Sequence, residues 1–354
     1  MRLIFAIPGD LSLLTGGYAY ARQILARLPE SGIDVVHCQL PGSFPDPGPA
    51  DLQEAVRAVN QAAAPGNIVL IDGLAYGAFS EAAIRAIGAP IVALCHHPLG
   101  LEAGLEPERS RALIASETKA LALAARVIVA SAHTARILSQ DFGVPVSRIA
   151  IAEPGTAPAP RAIGSGGPLA LLAVGSLTAR KAFGVLVEAL AGLQDLEWRL
   201  SIVGGAHHAP ETAAEVMRLI EECGLSSRVE CLGELKGTAL GEVFHRTDIF
   251  VSSSLYEGYG MALAEAMARG LPVITTTGGA ASETVPDKAA LKVPPGDVAA
   301  LREALRSLIS DAALRKRLSD ASWQAGQRLP RWGDTASAVA RAVREVVQAD
   351  PRGR

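Results

Sequence analysis

Two glutamates, Glu257 and Glu265, stand eight positions apart in the stretch YEGYGMALAEAMARGLPV, Tyr256 to Val273. A carboxylate accepts two hydrogen bonds at once from vicinal hydroxyls, which suits a ribose or a hexose. Gly258 and Gly260 between them permit close approach of backbone to a ligand. The pattern from Tyr259 to Arg269 is helical, and the free N–H groups at its start, around Met261 and Ala262, favour an anion such as a diphosphate. Glu265 is then expected about two turns into the helix. Ala262, Ala264, Ala266 and Ala268 would let that helix pack closely on its neighbours, and Gly270 would stop it. The ordinary alternative is that both glutamates solvate a helix and the loop before it.

A second constellation lies in VGSLTARKAFGVLVEAL, Val174 to Leu190, where a turn at Gly175 precedes Arg180 and Lys181. The dipole disfavours cations at a helix start unless an anion is bound there. A departing nucleoside diphosphate gains negative charge in the transition state, which preorganised cations stabilise. Thr15-Gly16-Gly17-Tyr18 follows the first apolar run and opens a helix, without completing a G-x-G-x-x-G fingerprint. CHHPLG places His96 and His97 just past another apolar run, where open α/β sheets bind ligands. A packed histidine with a backbone partner is the competing fate there. His207 and His208 are assigned to solvent. No D-x-D triplet, no His/Asp/Glu cluster at metal spacing and no G-x-S-x-G elbow stands in the sequence, so no metal ligand set and no nucleophilic triad is expected.

The Glu257 to Val273 stretch resembles the donor-binding signature of glycosyltransferase family 4, in which two glutamates flank an aromatic-Gly pair and a G-x-P-V-I strand follows. The Val174 to Leu190 segment is similar to the start of that family's second domain. The resemblance implies that Arg180 and Lys181 hold the donor diphosphate, although the commoner pattern places the Arg several positions earlier, where this chain has Ser176. It further implies that Gly16 and Gly17 lie against the donor phosphate and that His96, with His97 as the alternative, contacts the donor sugar. Backbone at Gly233 and Leu235 would read the nucleobase. Thr275 to Asp287 would form a supporting loop. His96, Arg180, Lys181 and Glu257 are thus the expected catalytic groups. Gly16, Gly17, His97, Gly175, Gly233, Leu235, Gly258, Tyr259, Gly260, Met261, Ala262 and Glu265 are expected to bind substrate. The family is metal-independent and retaining: the leaving diphosphate helps deprotonate the acceptor hydroxyl, and attack comes from the same face. Glu257 and Glu265 would then be binding groups, with no carboxylate nucleophile.

These residues need strands and helices to hold them. Apolar runs of strand length recur at Arg2 to Ile7, Asp34 to Leu40, Asn67 to Ile71, Pro90 to Leu94, Val127 to Ala130 and Arg148 to Ala152. Helical patterns such as Glu106 to Ala125 separate them. Pro, Gly and Ser then dissolve both periods over Glu153 to Pro168, which reads as a linker. A second series follows at Leu169 to Val174, Arg199 to Val203, Arg228 to Leu232, Asp248 to Ser252 and Pro272 to Thr276, and three helical patterns close the chain after Gly296. The expected architecture is α/β, a GT-B fold of two Rossmann-like, doubly wound domains facing a cleft. The first, 1–163, would bind acceptor; the second, 167–331, would bind donor; a last helix of about 332–354 would cross back to the first.

With 354 residues, 49% of them hydrophobic and 4% aromatic, the chain can fill two cores. A net charge of −3 offers no broad basic surface for nucleic acid. Cys38, Cys95, Cys223 and Cys231 form no CxxC pair and read as reduced structural thiols. The short apolar start is broken by Pro8, Gly9 and Asp10 before a signal-peptide core could form, and no run of about 18 apolar residues occurs. The expectation is a cytoplasmic hexosyltransferase, with a peripheral contact at the inner face of the membrane left open. Its partners would be a nucleotide-diphosphate sugar and a saccharide, lipid-linked or small-molecule acceptor, with no cofactor beyond the donor substrate. Oligomeric state stays open. The rivals are a GT-B epimerase or phosphorylase, and a non-catalytic sugar-nucleotide-binding scaffold.

Overall fold

A computed structural model describes residues 1–349. The last five residues of the expected closing helix, 350–354, lie outside the described residues. The chain divides into two compact units: Met1–Gly155 together with the segment from Pro330 onward, and Thr156–Leu329. The division falls inside the Pro/Gly-rich stretch 153–168.

The first unit is built on β1 (Arg2–Pro8), β2 (Asp34–Leu40), β3 (Ile68–Asp72), β4 (Ile91–Cys95), β5 (Arg126–Val129) and β6 (Ile149–Ile151). They form one parallel sheet in the order β2-β1-β3-β4-β5-β6. Side chains alternate across β1, so Leu3, Phe5 and Ile7 enter one core and Ile4 and Ala6 the other. Along β1, β3, β4 and β5 both faces are covered, which explains the continuous apolar runs in place of hydrophobic-polar alternation, while the edge strand β2 is largely exposed. The closing helix, Trp332–Ala349, belongs to this unit and buries Ala336, Val339, Ala340 and Val343 in the core of Leu3, Phe5 and Ile24.

The second unit repeats the plan with β7 (Leu169–Val174), β8 (Trp198–Val203), β9 (Val229–Cys231), β10 (Ile249–Ser252), β11 (Val273–Thr276) and β12 (Ala290–Val293). Its parallel order is β12-β11-β10-β7-β8-β9. Strand β12 has no counterpart in the expectation. Only four residues long, with a half-exposed Lys292 in it, ALKV offers no apolar run to notice.

The chain reverses its winding direction between β1 and β3 in the first sheet and between β7 and β10 in the second. Loops past the carboxyl ends of such strands are where open α/β sheets bind ligands. Gly16 and Gly17 follow β1, Gly175, Arg180 and Lys181 follow β7, and Glu257 to Gly260 follow β10, whereas His96 and His97 follow β4 and Gly233 and Leu235 follow β9.

Candidate functional site

In the second unit the loop after β7 carries Gly175, Arg180 and Lys181. The turn Ala179–Lys181 is 3-10, and Ala182 then adopts a left-handed conformation, φ 48°, before the helix Phe183–Ala191 begins. A non-glycine residue there is strained. The turn is fixed from outside, because Ser253 Oγ donates to Lys181 O at 2.9 Å and Leu255 N–H donates to Arg180 O at 2.7 Å. The Lys181 stem lies over Gly175, where a Cβ would stand 2.7 Å from Lys181 Cε, so a side chain there would displace the cation.

The loop after β10 brings Glu257 to these cations. Glu257 is buried, 7% exposed. Its Oε1 accepts from Lys181 Nζ at 2.6 Å and from Ser254 Oγ at 2.6 Å, and its Oε2 lies 3.8 Å from Arg180 Nη1. Burial pushes the carboxyl up, but Lys181, Arg180 and the Ser254 hydroxyl together outweigh it and hold Glu257 below its ordinary value. Arg180 also donates to Tyr256 O at 3.1 Å. The loop backbone is clamped: Glu257 N–H donates to Gly278 O, Ala280 N–H donates to Glu257 O, and Thr284 Oγ1 donates to Tyr259 O at 2.6 Å. Part of Thr275 to Asp287 thus does stand behind the loop, and a side chain at Gly279 would collide with the Glu257 backbone.

The helix begins later than its pattern suggests. It spans Met261–Ala268, with Gly260 at φ 93° as its entry, so Glu265 lies one turn in and not two. Gly258, Tyr259 and Gly260 form the turn before it. Ala264, Ala266 and Ala268 are buried, and Gly326 of the helix Ala312–Gly326 meets the backbone of Met267 so closely that a Cβ would collide. Close packing of the small residues is therefore real. Glu265 is half-buried, and among the described residues no hydrogen bond reaches its carboxylate. Burial raises its pKa, with Arg269 opposing. A desolvated carboxylate without a donor is a costly feature unless a ligand supplies one.

Gly233 and Leu235 lie on the loop after β9, and Gly233 O accepts from Gly204 N–H at 2.8 Å. His207 and His208 are exposed on the loop after β8. Beside them stands Glu234, so that one ligand atom from each of the three lies within 4.8 Å of the others. This cluster runs against the expectation of no metal-spaced group. Glu234 is separated in sequence from the histidine pair and reaches it only because β8 and β9 are neighbours in the sheet.

In the first unit, Gly16 and Gly17 open the helix Gly16–Arg27, capped by Thr15 Oγ1 accepting from Tyr18 N–H. A Cβ on Gly17 would stand 3.7 Å from the His96 ring. His96 and His97 both line a cavity of about 310 Å³ together with Gly17, Tyr18, Asp72 and Leu99. Neither is excluded in favour of the other. His96 Nε2 lies 3.5 Å from Asp72 Oδ2, and the ring meets Tyr20 edge-on at 5.0 Å. Asp72 is buried, and its other oxygen accepts from Leu74 N–H at 2.9 Å.

Two groups here escaped sequence reasoning. Asp72 sits at the end of β3, beside the winding reversal, and reads in the sequence only as the polar end of NIVLID. Glu117, 2% exposed on the helix Pro107–Leu123, accepts from Leu99 N–H at 2.8 Å and from Gly100 N–H, pinning the loop that carries both histidines. Burial pushes its carboxyl up to about 8 against those two bonds. Its helix pattern looks like ordinary surface charge, and only the fold turns it inward.

Comparison with known proteins follows the division of the chain. Residues 160–324 match the family described as glycosyl transferases group 1, and residues 9–155 match the glycosyl transferase 4-like domain. A D-inositol 3-phosphate glycosyltransferase of Xylanimonas cellulosilytica is 31% identical over 173 residues, 49% of this chain and 41% of that one. Its counterpart in Pseudarthrobacter chlorophenolicus is 29% identical over 293 residues, 75% of this chain and 69% of that one. The matches to the first curated relatives span less than half of those relatives' length. Among solved structures, sucrose-phosphate synthase from Thermosynechococcus elongatus superposes with a TM-score of 0.82 at 22% identity, covering 99% of this chain and 100% of that one. HepE of Anabaena in complex with UDP-glucose gives 0.74 at 18% identity, covering 99% and 100%. Both likenesses establish the GT-B fold. No helix among the described residues is long and apolar enough to cross a membrane.

Proposed function

We propose that this chain, which belongs to the group 1 glycosyl transferases with a glycosyl transferase 4-like first domain, transfers a hexose from a nucleotide-diphosphate sugar to a hydroxyl of a saccharide, lipid-linked or small-molecule acceptor. The observation that carries the reading is the Lys181–Glu257–Arg180 cluster on the two loops flanking the winding reversal of the second sheet. Two cations held at a fixed spot beside a helix start make an anion site, and a diphosphate is the anion that a sugar donor brings. Glu257 Oε1 is occupied by Lys181 and Ser254, so it orients the cation, while Oε2 keeps capacity for a sugar hydroxyl. Glu265, one turn into the next helix and without a hydrogen-bond donor, is the acceptor for the ribose hydroxyls.

Transfer then proceeds with Lys181 and Arg180 stabilising the charge on the departing diphosphate, without a divalent cation in that role and with retention at the anomeric carbon. A diphosphate oxygen takes the acceptor proton as the new bond forms on the face the diphosphate leaves. The cavity at Asp72, His96 and His97 in the first unit is where the acceptor is handled. The cytoplasm is the proposed compartment, in keeping with four free thiols. D-inositol 3-phosphate glycosyltransferase and the UDP-glucose complex of HepE support a small polyol acceptor and a uridine donor as first probes.

The test is product analysis by NMR with a panel of nucleotide sugars and polyol acceptors in the presence of a chelator. An α-linked product from an α-linked donor, formed equally well with chelator, is the expected result. An inverted linkage or a free epimerised nucleotide sugar would overturn the mechanism.

A further inference from the structure

The side chains of His207, His208 and Glu234 have no role in the chemistry above, although Glu234 stands between Gly233 and Leu235, and their placement is more ordered than a surface scatter of polar groups. The loops that carry them are stitched together. Gly204 N–H donates to Gly233 O at 2.8 Å, and Leu177 N–H donates to Gly205 O at 2.9 Å, so the segment before the histidines is tied to both neighbouring loops. Gly205 makes the space between them. A Cβ there would collide with Glu234 Oε1 and stand 2.9 Å from His207 Nδ1. The missing side chain leaves a niche with an imidazole on one wall and a carboxylate on the other.

We infer that His207, His208 and Glu234 form a binding site for a Zn²⁺-class divalent ion, distinct from the Lys181–Glu257–Arg180 cluster. The donor set, two imidazoles and one carboxylate, is the one borderline metals take. Zinc bonds to such ligands at about 2.0–2.2 Å, which places tetrahedral ligand atoms roughly 3.3–3.6 Å apart. His207 Nδ1 and Glu234 Oε1 already stand 3.6 Å apart. One ligand atom from each of the three residues lies within 4.8 Å of the others, so a rotamer adjustment of exposed rings closes the set. The two rings are 4.0 Å apart at their centroids, so both imidazoles stand on the same side of the niche. Three protein ligands with open positions left for water make an exchangeable site, unlike the closed four-ligand sites of structural zinc.

The measurement is calorimetric titration of the tag-free, chelator-stripped full chain with zinc chloride near neutral pH, repeated with Co²⁺ to read its visible ligand-field bands. Wild-type protein is expected to take up one equivalent, with binding weakened about tenfold or more in both H208A and E234Q. Both residues are exposed, and unchanged melting temperatures would confirm that the variants fold. Uptake that is absent below millimolar metal, or that persists unchanged in both variants through the free cysteines, would overturn the assignment. A G205V substitution supplies an independent check, since filling the niche should weaken zinc binding while leaving all three ligands in the chain.

Discussion

At the scale of single residues, Glu257 and Lys181 act as one unit. Breaking a buried ion pair by removing one partner typically costs about 3–5 kcal/mol, because a desolvated charge is left unpaired. Lys181→Met is therefore expected to lower both turnover and stability, the turnover by roughly 10²–10³ as for loss of one transition-state charge stabiliser. Adding Glu257→Gln to it should restore much of the stability and none of the turnover, which urea denaturation and initial-rate measurement would separate. The pair also has a pH signature. The folded-state pKa of Glu257 is depressed from 4.5, so its contribution to stability is present above that value and is lost as the pH falls below it. Acid titration of the Glu257→Gln variant should lack that loss. The sequence disclosed both glutamates and both cations because each lies in a local string with recognisable chemistry. It did not disclose that Glu257 pairs with Lys181, since seventy-six positions separate them and only the adjacency of β7 and β10 closes the gap.

At the scale of elements, the site depends on loops pinned by groups that do no chemistry. Glu117 is the clearest case. Its folded-state pKa, about 8, is raised from 4.5, so the stability linked to its protonation is full below 4.5 and is lost as pH rises through 8. Glu117→Gln should flatten the stability profile between those limits, as read by denaturation at stepped pH. A merely structural glutamine effect would lower stability equally at every pH. Backbone proximity makes a second prediction. A side chain at Gly204 would collide with the carbonyl of Gly175, in the loop that leads to Lys181. Gly204→Ala is expected to cost about 1–3 kcal/mol and to weaken donor binding, measured by thermal melting with and without nucleotide. Every strand but β12 was legible to within a residue or two, most plainly the central ones, which are buried on both faces and write themselves as apolar runs. The start of the helix Met261–Ala268 was not, because Tyr259 and Gly260 fit a helical pattern until the left-handed turn at Gly260 is seen. Asp72 and Glu117 were hidden for a related reason: a lone acidic residue says nothing of which way the fold will turn it.

At the scale of the whole molecule, two sheets built on one plan each place their ligand loops at a reversal of winding. That duplication was readable from two series of strands separated by a Pro/Gly-rich stretch. The return of the chain after Leu329 to the first unit's core was expected from the family resemblance alone, because the amphipathic pattern of the last helix does not say which core it joins. The central claim is that the second unit grips a nucleotide-diphosphate sugar through Lys181, Arg180 and Glu265. Its most direct test is calorimetric binding of uridine, guanosine and adenosine diphosphate sugars to wild type and to Glu265→Ala, with folding of the variant verified by its melting curve. One nucleotide class should bind wild type at micromolar concentration, and the variant should lose about tenfold or more, the equivalent of roughly 1.4 kcal/mol. Equal affinity in the two proteins, or no nucleotide sugar bound below millimolar concentration, would contradict it.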